Sequence, residues 1–387
     1  MTGPRSRECY EKEEAERLAP AAVKSMDSAG RVVPETPHPY RTAFQRDRDR
    51  IVHSRAFRRL EYKTQVFVHH EDDYYRNRLT HTLEGAQIAR TIARALRLNE
   101  ELSEAIALAH DLGHTPFGHA GERVLAELLQ NDGGFDHNRQ TLRVVDWLEE
   151  RYPEFRGLNL TAETREGILK HGAGWDHPVA LPALGAQRSL EAQVADASDE
   201  IAYVNHDLDD GLRSGLLTVD QLEEAPLWEE AARRALERCR GTGVSRSVAR
   251  SQTIIALING LVTDLIEETS ARLERAGPVS LEAVRRTAEP LVAFSPAVGG
   301  AKLKLKRFLM ENLYQHPRVL GTTRRAERVV GELFETFTET PSLLPSSVRV
   351  RFGDEGAPRA IADYVAGMTD RFAMAEHRKL LDPHEPI

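Results

Sequence analysis

The stretch Leu79–Glu122, LTHTLEGAQIARTIARALRLNEELSEAIALAHDLGHTPFGHAGE, decides the fold. Leu83, Ala86, Ile88, Ala89, Ile92, Ala93 and Leu96 recur at three- and four-residue spacings, and so do Leu102, Ala105, Ile106, Ala109 and Leu112. Val124, Leu125, Leu128 and Leu129 continue the pattern just beyond it. That is the period of helices with one buried face. Asn99 and Gly113 read as helix-ending residues, and Thr115–Pro116 as the start of a new element.

Outward from this stretch the pattern stays helical. Further helices are expected over Gln140–Arg151, Ser189–Asp210, Ser247–Arg275, Leu281–Glu289, Ala301–Leu313, Arg324–Thr338 and Ile361–Leu380. Strand signals are confined to Ser347–Phe352 and a hairpin edge at Thr64–His69. Ser28–Ala29–Gly30 and the prolines Pro34, Pro37 and Pro39 mark residues 1–40 as a loosely ordered arm. Gly215, Pro226 and Gly241–Thr242–Gly243 mark a joint near 216–246. The expectation is an all-α protein with a helical core over 41–215 and a C-terminal helical region, 216–387, packed on it.

Of the 387 residues, 41% are hydrophobic and 29% charged, which excludes wholesale disorder. Cys9 and Cys239 are the only cysteines, so neither a disulfide framework nor a zinc–thiolate site can be built, and a reducing cytoplasm is expected. MTGPRSRECYEKEEAERL at the start holds no apolar signal core. The most apolar run, Ile254–Ile266, is too short for a bilayer and contains Asn259 and Asp264. A net charge of −8 excludes a general polyanion binder. Between Arg41 and Lys63, however, eight basic residues face three acids. This segment suits a phosphate-bearing ligand, or else a solvated helix face of internal Arg–Asp pairs.

Chemistry concentrates in HDLGHTPFGHAGE, His110–Glu122. A His–Asp pair alone carries little information, and His206–Asp207 is a second copy. The first copy differs because an apolar helix runs straight into it. Adjacent side chains at a helix end diverge by about 100°, yet both reach a metal off that end. His81, early in its helix, and Asp199, on the aliphatic spacing Val194–Ile201–Val204, complete two imidazoles and two carboxylates. That mixed set suits Mn, Fe, Co, Ni or Zn better than Ca. Spacing alone is equally satisfied by hydrogen-bonded core histidines and capping aspartates. Arg78, one turn before His81, points at the same place and is a natural phosphate ligand.

FQRDRDRIVHSRAFRRLEYKTQVF, NRLTHTLEGAQIAR, HDLGHTPFGHAGE, ASDEIAY and DYVAGMTDRFAMAEH together resemble the deoxyguanosinetriphosphate triphosphohydrolase family of HD-domain proteins, in its shorter bacterial form. The resemblance runs from about Arg41 to Leu380. It implies an all-α HD fold, a divalent metal (Mn²⁺, Mg²⁺ or Fe, Co, Ni), and hydrolysis of a deoxynucleoside triphosphate to deoxynucleoside and inorganic triphosphate. His81, His110, Asp111 and Asp199 match its metal ligands, with Asp196 the alternative one turn before Asp199. His119 and Glu122 match the pair beside the attacking water, and their three-residue spacing lets the carboxylate orient the imidazole. His114 and His137 match histidines near the phosphates. Tyr203 and Asp207 follow Asp199 on one helix face and match residues beside the deoxyribose, while Gln65 matches a contact to the 3′-hydroxyl. Lys306, in KLKLKRFLMENLYQH, is a further phosphate candidate and Tyr314 a further sugar candidate. A homo-oligomer is expected, with a nucleotide effector and single-stranded DNA as candidate partners. Two other functions fit parts of the sequence. One is an HD phosphohydrolase acting on monophosphates or cyclic nucleotides. The other is a non-enzymatic nucleotide sensor or single-strand DNA binder using Arg41–Lys63.

Overall fold

The computed structural model describes residues 3–65, 76–169, 177–180, 185–222, 225–240 and 243–382. These residues are helical almost throughout, and the β-structure among them is two isolated bridges, Arg31 with Thr161 and Thr64 with Asn77. The first helices are α1 (Arg7–Arg17), α2 (Ala43–Val52), α3 (Arg55–Arg59), α4 (Arg78–Ala95), α5 (Glu100–Ala109), α6 (His119–Leu128), α7 (His137–Arg143), α8 (Ala162–Ile168) and α9 (Leu190–Arg213). They are followed by α10 (Val219–Leu222), α11 (Pro226–Arg238), α12 (Arg246–Ala276), α13 (Leu281–Arg285) and α14 (Pro296–Leu309). The chain ends with α15 (Pro317–Glu339), α16 (Ser346–Arg349), α17 (Phe352–Glu355), α18 (Ala357–Ala366) and α19 (Asp370–Leu381).

Side-chain caps start the three helices that carry His81, His110 and Asp199. Asn77 accepts from Thr80 N–H at the head of α4, Asn99 from Leu102 N–H at α5, and Ser189 from Ala192 N–H at α9. Each such cap contributes about 1 kcal/mol. The helices α4, α5 and α9 then pack through alanine and branched residues: Ala89, Ile92, Ala93, Leu102, Ala105, Ile106, Val194 and Ile201 are all buried. Small residues on this seam let the helices approach closely. His81, His110 and Asp199, at or near their ends, are thereby brought to one place. This first core extends through α12 and α14 to Leu313. A second core joins Phe117, Leu125 and Leu129 to Val330, Leu333, Phe337, Ile361, Val365 and Ala373.

Several local expectations are corrected. Asn99 starts a helix rather than ending one, because its side chain is spent on the Leu102 amide. The element after the His–Asp pair starts at His119, not at Thr115–Pro116. Ser347–Phe352 is helical turn instead of strand: of its alternating valines, Val348 is buried in the second core but Val350 is exposed. The Ile361–Leu380 run is two helices, divided by Gly367–Met368 and restarted by Thr369, which caps the Phe372 amide. The part of the expected Thr64–His69 edge beyond Gln65 lies outside the described residues. Residues 3–40 carry α1 and a short 3₁₀ turn at Ser25–Asp27, and Leu18, Ala21, Ala22 and Val23 are buried in the first core. Apolar side chains thus anchor a segment whose prolines suggested a loose arm.

Candidate active site

Helix α5 ends at His110, which is its C-cap, so His110 and Asp111 leave the helix together and both reach the same point. His110 Nε2 lies 3.2 Å from Asp111 Oδ1 and 3.3 Å from Asp199 Oδ1. His81 Nε2 lies 3.0 Å from the same Asp199 oxygen. Ligand-capable atoms of His81, His110 and Asp199 all fall within 4.8 Å of one another. Two imidazole nitrogens and a carboxylate turned toward each other in a largely buried site are the donor set of a divalent transition metal, so the residues present fit such an ion. Asp111 stands beside the three with Oδ1 toward His110, while its Oδ2 accepts from Arg78 Nη1 at 3.1 Å. Burial alone would raise the Asp111 carboxyl, but His110, Arg78 and His114 around it hold it well below the usual carboxylate range. Asp196 turns away from this cluster to pair with Arg188.

Asp111 also links this cluster to a second one. Its Oδ1 lies 3.0 Å from His114 Nδ1, and the His114 ring packs 4.2 Å from that of His137. Burial, reinforced by Arg78, holds His114 well below its ordinary value, so it is neutral. Glu122 then gathers two rings: Oε1 lies 2.7 Å from His137 Nδ1 and accepts from the His137 amide at 2.9 Å, and Oε2 lies 2.9 Å from His119 Nδ1. Burial opposes the Glu122 charge, yet the bonds to His119 and His137 drive its carboxyl far below the ordinary value. A permanently ionised Glu122 can only accept, so both rings carry their proton on Nδ1 and present Nε2 for other work. The His119 side chain is 62% exposed, the most open group of the set.

Two glycines make this arrangement possible. A Cβ on Gly113 would stand 2.2 Å from the Thr141 amide, so only glycine lets α7, and with it His137, press against the loop. Gly118, at φ 58°, turns the chain into α6, and a Cβ there would meet Arg78 Nη2 at 2.9 Å. Phe117 beside it also has positive φ, 61°. The turn is fastened from the far end of the chain: buried Asp370 accepts from Phe117 N–H and from Thr64 N–H, each at 2.8 Å, and from the Thr64 hydroxyl. Buried Lys63 donates to the carbonyls of His114 and Ala366. The sequence counts Lys63 only as the last cation of the Arg41–Lys63 segment and gives Asp370 no role. Both act mainly on backbone groups, which leave no residue-type pattern to read.

The substrate candidates are placed unevenly. Arg78 is buried, and its Nε has no partner among the described residues. The backbone of Gln65 comes close to Gly118, and its side-chain Oε1 is likewise buried without a partner among the described residues. Tyr203 and Tyr314 are stacked, ring centroids 6.2 Å apart and planes 8° from parallel. Burial, with Asp207 at its hydroxyl, raises Tyr203; burial, with Asp210 nearby, raises Asp207 well above the usual carboxylate range. Lys306 is engaged instead by Glu200, at 2.9 Å, in company with Lys302.

The first half of the Arg41–Lys63 segment is neutralised, mostly by acids outside it rather than by internal Arg–Asp pairs. Arg41 pairs with Asp49, Arg46 and Arg50 with Glu35, and Arg48 with Glu101 and Glu104.

Residues 78–204, which span His81 to Tyr203, match the HD domain family, and residues 292–379 match the phosphohydrolase-associated domain. The chain is 52% identical over 373 residues to a deoxyguanosinetriphosphate triphosphohydrolase-like protein of Geobacter sulfurreducens, covering 96% of both chains. It is 54% identical to a protein of the same description from Ralstonia nicotianae, covering 94% of each chain. A third from Thiobacillus denitrificans is 53% identical over 94% of this chain and 97% of its own. The chain belongs to this family. It is therefore an HD-domain phosphohydrolase of all-α fold. Among the described residues no helix is long and apolar enough to cross a membrane.

Proposed function

We propose that this chain hydrolyses a 2′-deoxynucleoside 5′-triphosphate to the deoxynucleoside and inorganic triphosphate, in a metal-dependent reaction. One observation carries the reading: Glu122 holds His119 and His137 by their Nδ1 atoms, and Asp111 and His114 tie that pair to the His81–His110–Asp199 cluster. A pure binding protein needs no such base pair. The description of the curated relatives supplies the substrate class.

His81, His110, Asp111 and Asp199 would hold the ion, Mn²⁺, Mg²⁺ or another first-row metal. When bound, it supplies Lewis acidity toward phosphate oxygen and acidifies coordinated water. The protein does the rest. Water adds to the α-phosphorus and its oxygen stays in the triphosphate; the bond to the 5′-oxygen breaks, and that oxygen takes a proton from solvent as the nucleoside leaves. His119, with Nδ1 locked and Nε2 open, takes the water proton. Arg78 has donors to spare for phosphate oxygens, and His114 and His137 add imidazole contacts. Lys306 would join only by leaving Glu200. The Tyr203–Tyr314 stack is a flat wall for the deoxyribose, with Asp207 and Gln65 serving the 3′-hydroxyl. Residues 41–215 form the catalytic unit and 216–387 the region that completes it.

The pairing of Arg41, Arg46, Arg48 and Arg50 with acids speaks against a single-strand DNA sensor built on Arg41–Lys63. A cavity of about 480 Å³, lined by Arg55 and Arg59 but also by Glu149, Glu150 and Asp363, is the candidate place for a nucleotide effector. A cytoplasmic homo-oligomer completes the reading. The test is product identity: each deoxynucleoside triphosphate incubated with Mn²⁺ or Mg²⁺ should release free triphosphate and deoxynucleoside. Release of phosphate or pyrophosphate, or turnover of monophosphates or cyclic nucleotides alone, would replace this reading.

A further inference from the structure

His206 lies outside every role described so far, yet it is buried against a metal-ligand candidate. Its Nδ1 is 3.0 Å from His81 Nδ1, and the two rings meet edge to face with centroids 5.2 Å apart. Its Nε2 lies against Glu84 Oε2, and Arg76 Nε approaches the same oxygen at 3.3 Å. Arg76 is held in turn by Asp209 and Asp210. The chain Arg76–Glu84–His206–His81 thus ends on the far side of the ring whose Nε2 faces Asp199.

We propose that His206, oriented by Glu84, is a positioning residue that fixes the tautomer of His81 for metal binding. The proposal rests on the metal-site reading above, but not on the identity of the substrate. Two nitrogens 3.0 Å apart share one proton. An ionised Glu84 accepts only, so the proton of neutral His206 sits on Nε2 and its Nδ1 is left as an acceptor. The proton between the rings then belongs to His81 Nδ1. His81 Nε2 keeps its lone pair, aimed at the point where His110 and Asp199 converge. Without this partner, His81 is free to carry its proton on Nε2, donate it to Asp199 and close the site to a cation. A metal-ligating histidine whose other nitrogen is held by a partner gains basicity and a fixed ring plane, and losing such a partner costs about 10- to 100-fold in metal affinity. Here the partner is another imidazole, with a carboxylate one step further out.

Metal affinity measured without nucleotide tests this. Mn²⁺ is titrated into the metal-free full-length protein and free Mn²⁺ is followed by electron paramagnetic resonance, for wild type, His206→Leu, His206→Asn and Glu84→Gln. The asparagine carbonyl can take the place of the Nδ1 acceptor, whereas leucine fills the space with no acceptor. His206→Leu is expected to bind Mn²⁺ about 10-fold or more weakly, with His206→Asn staying within about threefold of wild type. Glu84→Gln, which can donate to His206 Nε2 and release the tautomer, should weaken binding by several-fold even if the leucine variant does not fold. A smaller loss in His206→Leu, or an equal loss in His206→Asn, would overturn the relay while leaving the metal site standing. Wild type that binds no Mn²⁺ would overturn the metal site and the relay with it.

Discussion

Replacing Glu122 by glutamine exchanges one oxygen for an amide nitrogen and should separate the histidines it holds. In the wild type, Oε1 serves His137 twice, through Nδ1 at 2.7 Å and the amide at 2.9 Å, while Oε2 serves only His119, at 2.9 Å. Glutamine keeps one oxygen, and the position with two donors will claim it. The new amide N–H₂ therefore faces His119 Nδ1. Two donors cannot meet there, so His119 moves its proton to Nε2 and loses the lone pair it needs as a base. His137 stays as it was. Loss of a general base costs about 10²- to 10⁴-fold in rate, or about 3–5 kcal/mol of barrier. Folding should lose the bond to the exposed His119 ring and the charge on the acceptor of the two His137 bonds, about 1.5–3 kcal/mol. Steady-state kinetics on the preferred deoxynucleotide should show kcat reduced to the level of His119→Ala, with little change in KM and Mn²⁺ affinity. The double variant His119→Ala/Glu122→Gln should be no slower than His119→Ala alone, because both substitutions remove one function. Glu122→Gln retaining more than about a tenth of kcat, or multiplicative losses in the double variant, would refute the assignment of His119 through Glu122.

Asp111→Ala should lose bound metal, read by elemental analysis after dialysis, and turnover with it, while its helical circular dichroism stays close to wild type; retention of both metal and turnover would remove Asp111 from the site. Tyr203→Ala should erode discrimination between dGTP and GTP, which in the wild type is expected at roughly 10- to 100-fold from the 1–3 kcal/mol cost of an unpaired buried hydroxyl. Equal kcat/KM for the two nucleotides in the wild type would sink the sugar wall. Glu191 is fully buried between the Val23 and Asn99 amides, and burial pushes its carboxyl up to about 7. The folded state thus favours the protonated form: its contribution is complete below about pH 4.5 and is lost as pH rises through about 7. Glu191→Gln keeps the amide contacts and cannot ionise, so between pH 5 and 8 the wild type should lose about 2–3 kcal/mol relative to it in denaturant unfolding. A pH-independent difference would place the Glu191 carboxyl at its ordinary value.

Legibility in the sequence followed the nature of each constraint. The α4–α5–α9 seam was readable because apolar side chains must recur on one face to be buried there. His81, His110 and Asp199 came with it, since their places on those helices fix where they end up. Asp111 converges with them, with one oxygen held by Arg78. Residues whose partner is backbone, or a side chain distant in the chain, left no such trace. His206 looked like half of a chance His–Asp pair, and its meaning comes from His81 Nδ1, 125 positions away. Gly113 was read as a helix stop, while its role is to let the His137–Gln140 turn approach. The Arg41–Arg50 charges were equally ambiguous: composition counts them alike whether they meet phosphate or, as here, Glu35, Glu101 and Glu104.

The C-terminal helices matter to the site for a reason that starts from strain. Phe117 and Gly118 both sit at positive φ, and for a phenylalanine that conformation costs about 1–2 kcal/mol unless something holds it. Within the HD-matching segment the turn is held by Gly118 N–H to the Thr115 carbonyl, the Thr115 hydroxyl and Glu122 N–H to the Gly118 carbonyl, and Ala120 N–H to the Phe117 carbonyl. The Phe117 N–H itself is held by Asp370, at the start of α19. Hydrogen bonds to a charged acceptor are worth about 1.5–3 kcal/mol each, and Asp370 accepts one from Phe117 and two from Thr64, more than the turn costs. Thr64 precedes Gln65, and Phe117 stands two residues before His119. One carboxylate therefore fixes the spacing between a sugar-contact candidate and the proton-transfer candidate. Lys63 ties the His114 carbonyl to the end of α18 in the same way. An HD segment without α18 and α19 would keep its metal-ligand candidates, which the first core positions, but would lose the loop geometry that sets His114 and His119. That division gives a physical reason for the HD match and the phosphohydrolase-associated match to occur in one chain.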